Sequence, residues 1–220
     1  MRTHLVCLGL LLAVTIPASA QADSTTNCPF MQDAAGDQTA LPGYTSQPDT
    51  TPGAASLDLR SADITADSKN LSAVVRVINL RDADPVYVGH VYDFTFSTES
   101  TQFNLSADLS SDGNDFTISS GAASPTGSAT SLSVIGPITG IVDAHRNEIR
   151  MIVPRSLLRR SGAAGAVGNF TVYAGREVQT VETHGPVLFA RHSGFVNNED
   201  QMSTDRFYRI GDRGCGAVRP

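Results

Sequence analysis

A short acidic stretch near the start of the chain, Asp33-Ala-Ala-Gly-Asp37, carries the residue types that suit a hard cation. Calcium takes six to eight oxygen ligands from carboxylates, carbonyls and waters. Asp33 and Asp37 at a glycine turn offer two carboxylates and nearby backbone carbonyls. Asp58, at the start of the first strand, and Asp205, in the tail, are candidates to complete the ligand shell. The pattern predicts a calcium site, and the alternative is that these residues only form turns.

Motifs for catalysis are missing from the sequence. It contains no Gly-x-Ser-x-Gly nucleophile motif, no His-Glu-x-x-His zinc motif and no glycine-rich phosphate loop before a helix. Asp143 and Glu148 flank one hairpin and form the only acid pair that we consider for glycoside hydrolysis. The chain has no Trp to line a sugar cleft. We therefore expect no catalytic residue.

Carbohydrate-binding surfaces usually present aromatic platforms, and the five Tyr residues are the available candidates. Tyr44 and Tyr87 lie in loop-like contexts and are the predicted ligand platform. The alternative is that they pack at the edge of the core, where the amphipathic Tyr side chain is common.

The N-terminus has the pattern of a secretory signal peptide. Arg2 and His4 precede an apolar run from Leu5 to Ile16, and Ala18-Ser19-Ala20 fits a small-x-small cleavage site. The run is too short to span a bilayer, so we expect a secreted protein, extracellular or periplasmic, with no membrane span. The predicted domains are a signal peptide (1–20), a lead-in with the acidic loop (21–55), a β-sandwich (56–215) on which residues 28–55 pack, and a tail (216–220).

Two cysteines remain after the predicted cleavage, Cys28 and Cys215. An even count in an oxidising compartment usually indicates a disulfide. A bridge between positions so far apart would stabilise the fold by about 5 kcal/mol in the chain-entropy model. A pair of free thiols is the alternative.

The charge balance limits the partners. The whole chain has a net charge of −6, and removing Arg2 with the leader leaves 15 basic against 22 acidic residues, a net charge of −7. A surface for nucleic acid or anionic membrane needs clustered basic charge, so neither partner is expected. Only one Lys is present beside 15 Arg, which we interpret as a sign of a GC-rich bacterial genome.

Alternation of apolar and polar residues dominates from Leu57 onwards. Segments such as NLSAVVRVINL and TQFNLSADLS place apolar side chains at every second position, and Asp112-Gly113 is a hairpin-turn dipeptide. SLLRR is the only segment with helical character. About eight or nine short strands and almost no helix predict an all-β fold, an antiparallel β-sandwich of jelly-roll type. Phe30 is expected to turn toward the core.

The order of these motifs resembles a known family. Asp33-Ala-Ala-Gly-Asp37, a Leu-Pro loop and Ser56-Leu-Asp58-Leu are followed by Gly140-x-x-Asp143-x-x-x-Asn147-x-Ile149 and Val153-Pro154. The arrangement is similar to the calcium-associated β-sandwich domains of bacterial exported proteins, the DOMON-like group that includes the C-terminal module of glucodextranase. The resemblance implies a jelly-roll-type sandwich that binds carbohydrate or accompanies secreted hydrolases.

The function expected from the sequence is a secreted, non-catalytic binding or accessory module, stabilised by calcium. Its expected partner is a polysaccharide or another envelope protein. The first alternative is an extracellular hydrolase acting on polysaccharide or ester substrates. A haem-bearing electron carrier is a more distant one, because some members of the group hold haem between a Met and a His.

Overall fold

A computed structural model describes residues 29–37, 55–81, 89–110, 113–123, 131–162, 165–184 and 187–212. Side chains are described throughout these ranges except at residues 177–184 and 187–199. The predicted signal peptide, both cysteines of the predicted disulfide (Cys28 and Cys215) and both tyrosines of the predicted platform (Tyr44 and Tyr87) lie outside the described residues.

Twelve strands and one short helix make up the described part of the chain. The strands are β1 (Met31–Gln32), β2 (Leu59–Ala66), β3 (Asn70–Val77), β4 (Gly89–Ser97), β5 (Thr101–Ser110), β6 (Gly113–Ala122), β7 (Ser133–Pro137), β8 (Thr139–Asp143), β9 (Glu148–Pro154), β10 (Ala166–His184), β11 (Val187–Thr204) and β12 (Tyr208–Arg209). The helix is α1 (Arg155–Arg160), which coincides with the segment singled out for helical character.

The strands form two antiparallel sheets. The first sheet has the order β1-β2-β3-β9-β8, and the second has the order β11-β10-β4-β5-β6-β7, with β12 paired to β10. The chain enters the first sheet, crosses to the second at β4, returns at β8 and crosses back at β10. The predicted all-β sandwich is confirmed. The strand number exceeds the predicted eight or nine, partly because β1 and β12 are two-residue pairings with no alternation to detect.

Period-two alternation explains how the sheets meet. In β3, Leu71, Ala73 and Val75 are fully buried, and Phe103 and Leu105 in β5 are buried from the opposite sheet. Successive side chains on a strand point to opposite faces, so this alternation gives each sheet one apolar face. Burying each large apolar side chain contributes about 1.5–3 kcal/mol. The core therefore lies between the two sheets.

Phenylalanines occupy the centre of this core. The Phe170 ring in β10 lies 5.0 Å from the ring of Phe30, 5.9 Å from Phe94 and 6.2 Å from Phe96, measured between centroids. Phe30 comes from the N-terminal lead-in and is 7% exposed, so its predicted inward position is confirmed. The Arg206 side chain lies over the Phe30 ring and donates a hydrogen bond to its backbone oxygen at 2.7 Å. The lead-in is thus attached to the sandwich on both sides of Phe30.

The helix is a local feature of the chain. It spans six residues after Pro154, and Arg159 and Arg160 in its last turn complement the negative end of the helix dipole. Within the described ranges, no helix is long and apolar enough to cross a membrane.

Replacing Phe170 with Ala should lower the free energy of unfolding by about 3–5 kcal/mol, because it opens a cavity among three aromatic rings. The same substitution at Phe207, which is 75% exposed, is the matched control and should cost about 1 kcal/mol or less. Chemical denaturation of both variants measures the difference. Equal losses would contradict the central position of Phe170.

Candidate functional site

Three carboxylates from distant parts of the chain meet at one corner of the sandwich. Asp33, Asp37 and Asp200 each offer an oxygen, and these oxygens all lie within 4.8 Å of one another. Asp33 and Asp37 belong to the loop that follows β1, and Asp200 belongs to β11 in the opposite sheet. This carboxylate cluster therefore lies where the N-terminal loop meets both sheets.

Backbone pairing holds the acidic loop in place. The Asp33 N–H donates to the Arg60 carbonyl at 3.1 Å, extending the pairing of β1 with β2. Gly36 has a positive φ of 79°, a conformation that glycine adopts without steric cost, and it reverses the chain between the two acids. The Gly36 N–H then donates to Asp58 Oδ2 at 2.8 Å. Asp58, immediately before β2, is thereby placed against the loop.

Asp200 connects the second sheet to the first. It lies opposite Ala174 in the pairing of β10 with β11, on the face that turns toward the core. Its Oδ2 accepts a hydrogen bond from the Leu59 N–H at 2.7 Å, and its Oδ1 accepts one from the Gln201 N–H at 2.7 Å. Nearby, the Tyr92 hydroxyl donates to the Ser56 carbonyl at 2.7 Å. The start of β2 and the segment before it are therefore attached to the second sheet at Leu59 and at Ser56.

Two buried carboxylate oxygens at this corner accept no hydrogen bond from the described residues. Asp58 is only 4% exposed, and its buried Oδ1 has no hydrogen-bond donor among the described residues. The buried Oδ2 of Asp33 is in the same situation within the described ranges. Buried polar atoms are nearly always paired, so each of these oxygens has unused capacity to accept a further contact.

The electrostatics of the corner show that its carboxylates lie close together. Burial, together with the charges of Asp33 and Asp37, raises the pKa of Asp200 to about 6 against the lowering effect of the hydrogen bonds from the Leu59 and Gln201 N–H groups. Burial also raises the pKa of Asp33, to which the charges of Asp37 and Asp58 contribute. These carboxylates repel one another when no positive charge lies between them.

The structure brings together most of the predicted ligands. Asp33 and Asp37 lie in the cluster, and Asp58 lies against its loop. Asp205 is exposed, follows the last residue of β11 and is not part of the cluster. Asp200, which sequence reasoning missed, occupies the corner instead. The signal for it was the spacing of Asp200 and Met202, since period two places both on the core face of one strand.

A cleft of about 600 Å³ opens beside the carboxylate cluster. Its wall comes from the lead-in, from β2, from the end of β3 and from the turn between β8 and β9, all at one end of the first sheet. The polar residues that line it include Gln32, Asp33, Arg60, Arg76, Arg146 and Asn147. Asp33 belongs to both the cluster and the cleft.

Asn147 shapes the far side of the cleft. It has a positive φ of 52°, which Asn tolerates better than most residues, in the turn before β9. Its Nδ2 donates to the Ile78 carbonyl at 2.9 Å, and its Oδ1 accepts from the Leu80 N–H at 3.1 Å. These bonds connect the turn that carries Arg146 to the segment after β3.

Ion pairs occupy the floor of the cleft and the adjoining sheet face. Arg76 pairs with Asp63, which is 2% exposed, and its Nε lies 3.1 Å from Glu148 Oε2. The other oxygen of Glu148 accepts from the Arg150 guanidinium at 2.7 Å. Both oxygens of Glu148 are thus bound to guanidinium groups.

Asp143, the other member of the considered acid pair, is also engaged. Its Oδ1 accepts from the N–H groups of His145 and Arg146 at 3.0 and 3.2 Å, closing the turn between β8 and β9. Asp143 and Glu148 lie opposite each other in the pairing of these strands. The contacts of both acids stabilise the hairpin.

Comparison with known proteins produced no match. No family model matches the sequence, and no curated protein or solved structure is significantly similar to it.

The raised pKa of Asp200 predicts a pH dependence of stability in chelator. A carboxyl group with a raised pKa stabilises the fold fully below its unfolded pKa of about 3.8, and this contribution is lost as the pH rises through about 6. Asp200→Asn does not titrate. The melting temperature of the wild type, relative to that of this variant, should therefore fall as the pH rises from 4 to 7.

Thermal melts of both proteins in the same chelating buffers measure this difference. Any weakening of the hydrogen bond from the Leu59 N–H in the Asp200→Asn variant is independent of pH, so it shifts the curve without changing its slope. Asp205→Asn, at an exposed position outside the cluster, is the control for the loss of one carboxylate. A difference between the wild type and Asp200→Asn that does not change with pH would contradict the repulsion inferred at this corner.

Proposed function

We propose that the chain is a secreted, non-catalytic β-sandwich that serves as a binding or accessory module, and that a calcium ion stabilises it. The observation that carries the calcium part is the buried Asp58 Oδ1, which has no donor among the described residues and lies against a loop with two further carboxylates. A buried carboxylate oxygen that accepts no hydrogen bond is costly unless a positive charge compensates it.

The ligand chemistry fits calcium better than other common ions. The cluster in the described residues consists of aspartates alone, whereas structural zinc sites use mainly Cys and His. The oxygens come from a loop, from the segment before β2 and from β11. Calcium accepts such irregular sets, while magnesium demands near-octahedral geometry and retains several waters. Backbone carbonyls of the loop and water would complete the shell.

The proposed ion would act mainly on stability. Its ligands lie on both sheets and on the lead-in, so binding would connect three segments that the chain brings together only on folding. A ligand that binds only the folded state at 100 times its dissociation constant stabilises the protein by about 2.7 kcal/mol. The predicted disulfide between Cys28 and Cys215 would act on the same lead-in.

Two observations support the binding or accessory role: the cleft, and the contacts that Asp143 and Glu148 already make. The cleft beside the cluster has the volume of a small-ligand site and is lined by hydrogen-bonding side chains. Glu148 is held by two arginines, and Asp143 Oδ1 accepts from the N–H groups of the turn between β8 and β9, which favours a structural role for both acids. The sequence resemblance to DOMON-like exported modules supports a polysaccharide or another envelope protein as the partner.

Calcium at a concentration 100 times its dissociation constant should raise the melting temperature by about 5–10 °C above the value in chelator. Asp37→Asn and Asp58→Asn should each remove most of this rise, because each neutralises one of the proposed calcium ligands. Asp205→Asn is the matched control and should keep it. Differential scanning fluorimetry with calcium and with chelator measures all four proteins. An unchanged wild-type melting temperature, or an equal loss in Asp205→Asn, would contradict the proposed site.

The binding role is tested with a panel of insoluble neutral and acidic polysaccharides. The exported protein should be retained on at least one of them without releasing reducing sugar, and Tyr44→Ala or Tyr87→Ala should reduce retention if these residues form the platform. Sugar release that Glu148→Gln abolishes would replace the proposal with the hydrolase alternative.

A further inference from the structure

We propose that the cleft beside the carboxylate cluster binds a carboxylate-bearing ligand through the guanidinium groups of Arg60 and Arg146. The inference rests on the proposed function and specifies the chemistry of the ligand. The two arginines come from β2 and from the turn between β8 and β9, and both side chains line the same cleft.

The two arginines differ from the third arginine of the cleft in what they already bind. Arg76 is engaged by Asp63 and Glu148. Arg146 is 60% exposed at its side chain and lies 3.7 Å from Asp143 Oδ2, a loose contact in solvent. Arg60 is exposed and forms no hydrogen bond or ion pair through its side chain with another described residue. Two guanidinium groups are therefore available at one opening.

The guanidinium group is planar and presents paired N–H donors that match the two oxygens of a carboxylate. Two such groups lining one cleft offer paired donors to one carboxylate or to two carboxylates of one ligand. The backbone bonds of Asn147 connect the turn that carries Arg146 to the segment after β3, so one wall is in place before the ligand binds. Preorganised donors lose less entropy on binding.

The local charge of the cleft differs from the charge of the whole chain. The whole chain has a net charge of −6, which repels anions in general, whereas Arg60, Arg76 and Arg146 give this cleft three guanidinium groups beside one carboxylate, Asp33. Asp33 is the nearby negative group on the wall, and it is also a proposed calcium ligand. A calcium ion at the cluster would compensate its charge and add positive potential to the cleft.

A carboxylated saccharide fits the remaining wall. Gln32 and Ser61 supply neutral hydrogen-bonding groups that suit hydroxyls, next to the arginines that suit carboxylates. A free organic acid carries the same carboxylate chemistry, so the test separates the two sources.

Isothermal titration calorimetry of the full mature protein in 1 mM calcium tests the inference with three probes: trigalacturonate, monomeric galacturonate and uncharged maltotriose. Trigalacturonate should bind, and its affinity should fall as sodium chloride increases, because salt screens exposed charges. Arg60→Ala and Arg146→Ala should each weaken binding by about tenfold, the loss expected for a charge-assisted hydrogen-bonded pair. Arg60→Lys keeps the charge without the paired donors, so its affinity for trigalacturonate should lie between the affinities of Arg60→Ala and the wild type.

Arg160→Ala, an exposed arginine on α1, is the matched control and should bind like the wild type. Unchanged melting temperatures would show that the variants fold. Tighter binding of the trimer than of the monomer assigns the site to a saccharide chain, and equal binding assigns it to a small acid; both outcomes support the carboxylate site.

The inference is overturned if maltotriose binds as tightly as trigalacturonate, or if Arg60→Ala and Arg146→Ala bind like the wild type. Retention on a neutral polysaccharide that depends on Tyr44 or Tyr87 would then leave the binding-module proposal intact while removing the arginine site. Loss of the binding module itself would appear as retention on no polysaccharide in the panel.

Discussion

The hydrogen bond from the Leu59 N–H to Asp200 is the contact on which this corner of the structure depends. It joins residues 141 positions apart and attaches the first residue of β2 to β11 in the opposite sheet. Most of the contact between the sheets is apolar and has no direction, whereas this bond has a defined geometry. It fixes the position of β11 relative to the start of β2, against which the acidic loop lies. The carboxylates of the loop and of β11 are therefore brought together.

This arrangement has an electrostatic cost when no cation is present. Asp58 and Asp200 are almost fully buried, and burial together with neighbouring negative charges raises the pKa of Asp200 to about 6. An apolar corner would avoid the cost entirely, so the concentration of aspartates at one point argues for a positive partner. The proposed calcium ion would turn mutual repulsion into a connection between the lead-in and both sheets.

Buried carboxylates on the outer face of the first sheet are compensated in a different way. There Asp63 and Glu148 are also buried, but Arg76 and Arg150 compensate them with direct ion pairs. On the outer face, arginine side chains of the protein itself therefore neutralise the buried carboxylates. Beside this network, Arg60 and Arg146 remain exposed at the cleft, and this contrast supports their assignment to a ligand.

The sequence by itself determined the sandwich and the acidic loop, because both follow from local patterns. Alternation predicts which side chains of β3 and β5 face the core, and Gly36 between two aspartates predicts a turn rich in oxygen ligands. Tertiary structure decided which C-terminal acid completes the cluster. Asp205 follows the end of β11, whereas Asp200 lies within the strand, opposite Ala174 and facing the core. That choice depends on register between strands far apart in sequence, as does the meeting of Arg60 with Arg146, and a single sequence does not specify register at such distances.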